Sequence, residues 1–392
     1  MDIAAKLLRA KRATQFIFLV CGLGISSWAP MVPYVKDRLI LNEADLGFLL
    51  LLLGLGAIIM MPVSGILMNK IGSRKVMAVS VFAVALTLPL LSVISSFTGM
   101  AVALFIFGCG IGTVDVAMNA HGVQVQNLYG RPIMSSLHGL FSVGGLLGPL
   151  GIGFLMKAGL DPLYAAVAIS ILLIILAVSQ YKNLFDNQFE KETIASFTQV
   201  NKDQPKTKNY FQWFNGSILL LGFMCFSTFL SEGAMLDWSA VFLRDLKDIT
   251  PEFAGAGYAA FSVAMAVMRL LGDRIVTQLS HKTVVTGGAL VAVAGLALVI
   301  TGSLPVALLG FTLLGAGAAN IVPIFFSEGG KIPGISPTTS ISAITTMGYA
   351  GQLAGPALLG YIAHLFSLQI AFGLIAFLLL LVAVVYGLKK NM

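Results

Sequence analysis

Hydrophobic positions in this chain neither alternate nor keep to one helical face. They fill whole stretches of about twenty residues, parted by short polar breaks. Twelve such stretches are predicted, at roughly 14–36, 44–69, 76–96, 100–126, 133–157, 162–181, 214–243, 252–278, 283–302, 304–327, 338–364 and 367–388. At about 1.5 Å per helical residue, each spans the ~30 Å hydrocarbon core of a bilayer. A β-barrel is excluded, because its strands alternate over about ten residues. Pro30, Pro33, Pro62, Pro149, Pro323 and Pro356 fall inside stretches, which membrane bundles tolerate because neighbours re-satisfy the backbone. One long hydrophilic segment, 182–213, separates the sixth stretch from the seventh. The pattern predicts an all-α membrane protein of twelve transmembrane helices. They form two six-helix bundles, 1–181 and 214–392, joined by the 182–213 linker.

Composition agrees. Of 392 residues, 57% are hydrophobic and 10% charged, too few charges to solvate a soluble surface of that size. With the N-terminus placed in the cytoplasm, the external segments receive only Lys36, Arg38, Lys157, Arg244 and Lys247 of the 24 basic residues. That asymmetry predicts both termini and the linker on the cytoplasmic side. The net charge of +7 therefore reflects topology and lipid, not nucleic acid. Cys21, Cys109 and Cys225 lie in apolar stretches without metal-ligand spacing. The sequence shows no phosphate-cradling loop and no catalytic triad, so no enzyme, ATP-driven activity, metal or other cofactor is expected.

The two bundles are related in sequence. Gly108, Gly110 and Gly122 recur 207 residues later as Gly315, Gly317 and Gly329. At the same offset Gly144, Gly148, Pro149 and Gly153 match Gly351, Gly355, Pro356 and Gly360. Parallel repeats of this kind put a small-molecule site between bundles near mid-membrane, opened alternately to either side. A monomer suffices for that design.

On these residues the chain resembles the major facilitator superfamily. The loop "GILMNKIGSRK", Gly65–Lys75, is similar to the family's acid-and-base loop motif, with Asn69 where the acid stands and Lys70 at the first base. Asp115 with Asn119, and the run Pro323, Ile324, Phe325, resemble the fucose-permease-like branch. "SEGAMLDW", Ser231–Trp238, looks like bacterial inner-membrane members without a settled substrate. The branch also carries an acid in span one, which "GISSWAPMVPY" lacks. The resemblance implies a secondary active transporter in the bacterial inner membrane, taking up a small polar solute with protons, sugars foremost. Gly139, Gly148, Pro149 and Gly153 in span five are similar to an antiporter motif, which keeps proton-antiport efflux of an amphipathic compound as an alternative. A non-transporting sensor or accessory protein with the same fold is the other.

Charges inside spans cost at least a few kcal/mol each and mark candidate sites. Asp115 shares one face of span four with Gly108, Gly112, Asn119, Gly122 and Gln126, a small and polar face expected to meet a cavity. Asp115 is the first candidate for proton coupling and Glu232 in span seven the second. Asp237 is a substrate-site candidate, and it shares a face with Glu232 only if Gly233 breaks the helix. Arg269 and Asp273, four apart, predict a structural pair, with contact to an anionic substrate the alternative for Arg269. His138, Asn119, Asn320 and Gln352 are candidate hydrogen-bonding partners for substrate, and Trp28, Tyr258 and Tyr349 candidate stacking platforms. His121 is expected to pack against a neighbouring helix, and Glu328 to lie in a loop.

Overall fold

The computed structural model describes residues 3–199, 212–247, 249 and 255–388, and every regular element among them is helical. In chain order these are α1 (Ile3–Ser26), a 3-10 turn (Ala29–Met31), α2 (Val32–Leu39), α3 (Glu43–Ile71), α4 (Ser73–Val93), α5 (Phe97–Tyr129), α6 (Met134–Lys157), α7 (Pro162–Tyr181) and α8 (Asn187–Gln199). A second 3-10 turn (Gln212–Phe214) leads to α9 (Gly216–Lys247), α10 (Ala256–Gln278), α11 (His281–Thr301), α12 (Leu304–Ala318), α13 (Ile321–Gly329), α14 (Pro337–Leu365) and α15 (Leu368–Leu388). Among the described residues ten helical segments are long and apolar enough to cross a membrane. Helices α10 and α14 occupy the eighth and eleventh predicted spans. The fold is all-α, of the membrane-spanning kind expected, with large apolar side chains such as Phe154 and Ile66 left on the outside, as lipid-facing surfaces require.

Two expectations need correction, and the linker gains an element. Span one starts at Ile3, so the basic residues Lys6 to Arg12 are already helical, and it breaks at Ala29–Met31 beside Pro30 and Pro33. Span ten is interrupted between Ala318 and Ile321. Within the linker 187–199 forms α8, while 200–211 lie outside the described residues, as does Met392.

The chain divides into two compact units. Unit 1 comprises Met1–Arg131, Leu140–Trp213 and Gly330–Ala343; unit 2 comprises Pro132–Gly139, Phe214–Gly329 and Ile344–Met392. Within unit 1, glycines let helices approach to backbone contact. A Cβ on Gly108 would lie 1.9 Å from the Leu53 carbonyl oxygen, and one on Gly112 would lie 2.5 Å from that of Ala57. So the glycine part of the polar face of α5 meets α3 rather than a cavity. Helix α6 meets α1 in the same way, through Gly144 and Gly148. Within unit 2, a Cβ on Gly295 or Gly310 would lie 2.5 Å from the other's carbonyl oxygen, locking α11 on α12. Gly351 presses on Phe226, its Cβ position 2.2 Å from that carbonyl oxygen, and the Gly355 Cβ position lies in ordinary contact, 3.6 Å from the Leu230 carbonyl oxygen.

Candidate functional site

In unit 2 the site is built around a proline. Pro323 has no N–H, so the carbonyl of Ala319 loses its helical partner. The helix breaks there, and Arg269 on α10 donates from Nε to that carbonyl oxygen at 3.2 Å. The same guanidinium donates from Nη2 to Oε1 of Glu232 on α9 at 2.9 Å. Arg269 is buried, and the Glu232 side chain keeps 17% of its surface accessible. Asp273, the neighbour expected for Arg269, accepts from the backbone N–H of Ser136 at 3.1 Å, in the first turn of α6, where helices leave donors unsatisfied.

Other predicted residues gather around this pair. Tyr258 bonds Ser262 and lies within electrostatic reach of Glu232, Arg269 and Asp237. His138 lies within reach of Arg269 and packs on Phe326, ring centroids 5.6 Å apart. Asn320 bridges the helix break to α10, donating from Nδ2 to the Met268 carbonyl oxygen at 3.2 Å. Helix α9 runs unbroken through Gly233, so Glu232 and Asp237 keep diverging directions. Gly233 serves closeness instead, with the Gln352 backbone 3.1 Å from its Cβ position. Tyr349 stacks edge-on against Phe229 at 5.6 Å.

Unit 1 holds the other candidates. Asp115 is 6% exposed and lies within electrostatic reach of Cys21 on α1. Asn119 is fully buried and donates from Nδ2 to the backbone oxygen of Asp115 at 2.9 Å. Trp28 is buried at the break in span one, its indole N–H without a hydrogen-bond partner among the described residues. A cleft of about 490 Å³ in this unit, lined by Pro30, Tyr34, Met156 and Lys157 among others, contains none of the predicted site residues.

Sequence reasoning missed a second polar cluster in unit 1. Glu190 of α8 is 4% exposed. It accepts from the backbone N–H of Ser73 at 2.9 Å and from the Ser73 hydroxyl. His121 Nδ1 stands 3.1 Å from the same carboxylate and 2.9 Å from that hydroxyl. His121 thus meets a polar partner, not simply a neighbouring helix. Glu328, expected in a loop, lies in α13 and accepts from the Tyr386 hydroxyl. The altered loop motif also finds a use: Asn69 Oδ1 accepts from the Thr338 hydroxyl at 2.6 Å, a neutral bond where the family motif offers a charge. Nearby, a Cβ on Gly65 would lie 2.5 Å from Ser342 Oγ, and in unit 2 one on Gly272 would lie 2.5 Å from Ser135 Cβ. Gly65 and Ser135 are each 207 residues before Gly272 and Ser342, so the internal repeat extends to these contacts.

The sequence profile described as Major Facilitator Superfamily matches residues 15–334. An uncharacterised MFS-type transporter of Yersinia pestis is 44% identical over 95% of this chain and 93% of its own length. The fold is similar to that of the E. coli fucose:proton symporter FucP, with a TM-score of 0.74 at 14% identity over 97% of this chain and 98% of that one. It is equally similar to that of the proton:xylose symporter XylE, with a TM-score of 0.75 at 14% identity over 98% and 95%.

Proposed function

As a member of the major facilitator superfamily, we propose, this chain carries a small polar solute inward across the bacterial inner membrane together with protons, working as a monomer with both termini cytoplasmic. Alternating access by the two six-helix bundles, 1–181 and 214–392, moves the solute. The observation that carries this reading is a carboxylate, Asp115, 6% exposed inside a membrane helix. A carboxylate placed inside a span is the kind of group that relays protons, taking one up on one side and releasing it on the other. Fold likeness to proton symporters for fucose and xylose supports symport by analogy only.

The test is transport in proteoliposomes. Asp115→Asn, which mimics the protonated acid, is expected to keep counterflow exchange and lose accumulation driven by an imposed pH gradient. Accumulation that survives in the variant removes Asp115 from the coupling role and leaves Glu232 as the acid to examine.

A further inference from the structure

Glu232 and Arg269 differ in one decisive respect. A carboxylate can be neutralised by a proton, whereas a guanidinium stays charged throughout the physiological range. Both sit inside membrane helices, and Arg269 is also fixed in place by the Ala319 carbonyl that Pro323 releases. Protonating Glu232 removes a negative charge that faces Arg269 at 2.9 Å, and taking away charge compensation from a buried cation is costly. An anion of the same shape offsets that loss. The Glu232 carboxylate makes a single hydrogen bond among the described residues and is the more accessible partner, so it can be displaced without unmaking the Arg269–Ala319 contact.

We infer that the Glu232–Arg269 pair is an exchange site for a carboxylate, and that the transported solute carries one, as a hydroxy acid or sugar acid does. The inference rests on the proton-coupled reading above and names its substrate class. In the exchange, a proton adds to a Glu232 oxygen, the hydrogen bond from Arg269 Nη2 to Glu232 breaks, and the same N–H bonds the solute's carboxylate. Proton and anion enter together and no net charge is added to the site. Among the described residues, ionisable groups within electrostatic reach of the pair include Tyr258 on α10, Cys225 on α9 and His138 on α6, and Asp237 lies within reach of Tyr258.

The experiment is chemical rescue, read as thermal stability of the purified full-length protein. Glu232→Gln and Glu232→Ala should melt below the wild type. Sodium formate should raise their melting temperatures saturably by a few degrees, while formamide and sodium chloride at matched concentration should not. The wild type and the double variant Glu232→Gln/Arg269→Gln should show no such response. Absence of rescue in both single variants, equal rescue in the double variant, or equal rescue by chloride overturns the inference. If neither single variant is recovered folded, the wild type carries the test: D-galacturonate and short hydroxycarboxylates are expected to stabilise it more than their neutral counterparts. Stabilisation by the neutral counterparts, or by neither series, overturns it. The two readings fail separately. Formate rescue without gradient-driven uptake defeats the coupling and keeps the carboxylate site; gradient-driven uptake of an uncharged solute does the reverse.

Discussion

Gly148→Ala adds one methyl group to α6 where it crosses α1. The new Cβ would stand 2.1 Å from Ser26 Oγ, 2.8 Å from the Leu23 carbonyl oxygen and 2.9 Å from the Ser27 nitrogen. Ser26 can rotate away, but the other two atoms are backbone. The helices must therefore separate by about half an ångström to regain ordinary contact, and overpacking of this kind costs ~1–3 kcal/mol. Helix propensity pulls the other way, since alanine is favoured over glycine by about 1 kcal/mol. The same helix supplies controls: Gly145 and Gly153 have nothing within 4 Å of their Cβ positions, so alanine there should be neutral or stabilising. Thermal melting of the three purified variants checks this. Gly148→Ala is expected to melt several degrees below the other two, and Gly148→Leu lower still. A Gly148→Ala protein that melts as high as Gly145→Ala refutes the close-contact argument.

Glu190→Gln should weaken the docking of α8, because hydrogen bonds to a charged group contribute roughly 1.5–3 kcal/mol; faster hydrogen exchange at 187–199 is the readout, and unchanged exchange refutes it. Asp186 caps α8, accepting from the Phe189 N–H, and that bond, aided by Lys6 and Arg74, holds its carboxyl below the usual carboxylate range. A lowered folded-state pKa stabilises above the unfolded value and is lost as pH falls through the folded one, so the α8 cap should persist at neutral pH and loosen only below about pH 4, as followed by the same exchange. Gly65→Trp should push the start of α14 off α3, lowering the yield of a disulfide between Asn69→Cys and Thr338→Cys in a background without the native cysteines. A reporter fused within the 182–213 linker should report cytoplasm, and a periplasmic signal overturns the orientation.

The membrane character and family were legible from apolar length, the 207-residue offset and a handful of motif residues, because a bilayer imposes both on the sequence directly. Glu232 and Arg269 were each picked out as charges inside spans, yet their partnership was not. They lie 37 residues apart on different helices, and local spacing offered Asp273 as the nearer mate. The break that seats Arg269 was signalled by Pro323, but prolines at Pro62 and Pro149 leave their helices continuous, so the residue alone does not decide. Glu190 was invisible for a different reason. In a mixed-charge linker, nothing distinguishes the one acid that is buried from those that are solvated.

The Glu232–Arg269 pair also bears on how the chain is made. Helix α10 is not among the ten segments apolar enough to cross a membrane by composition, and an arginine at the centre of a helix costs ~2.5–3.5 kcal/mol on translocon scales. Its partner resides on α9, the span synthesised immediately before it. A nascent α9 waiting at the translocon presents a carboxylate to the arriving guanidinium, so the two helices should enter lipid as a hairpin. In a glycosylation-based insertion assay, α10 alone should integrate poorly and α9–α10 together well, with Glu232→Ala returning the hairpin towards the behaviour of the isolated helix.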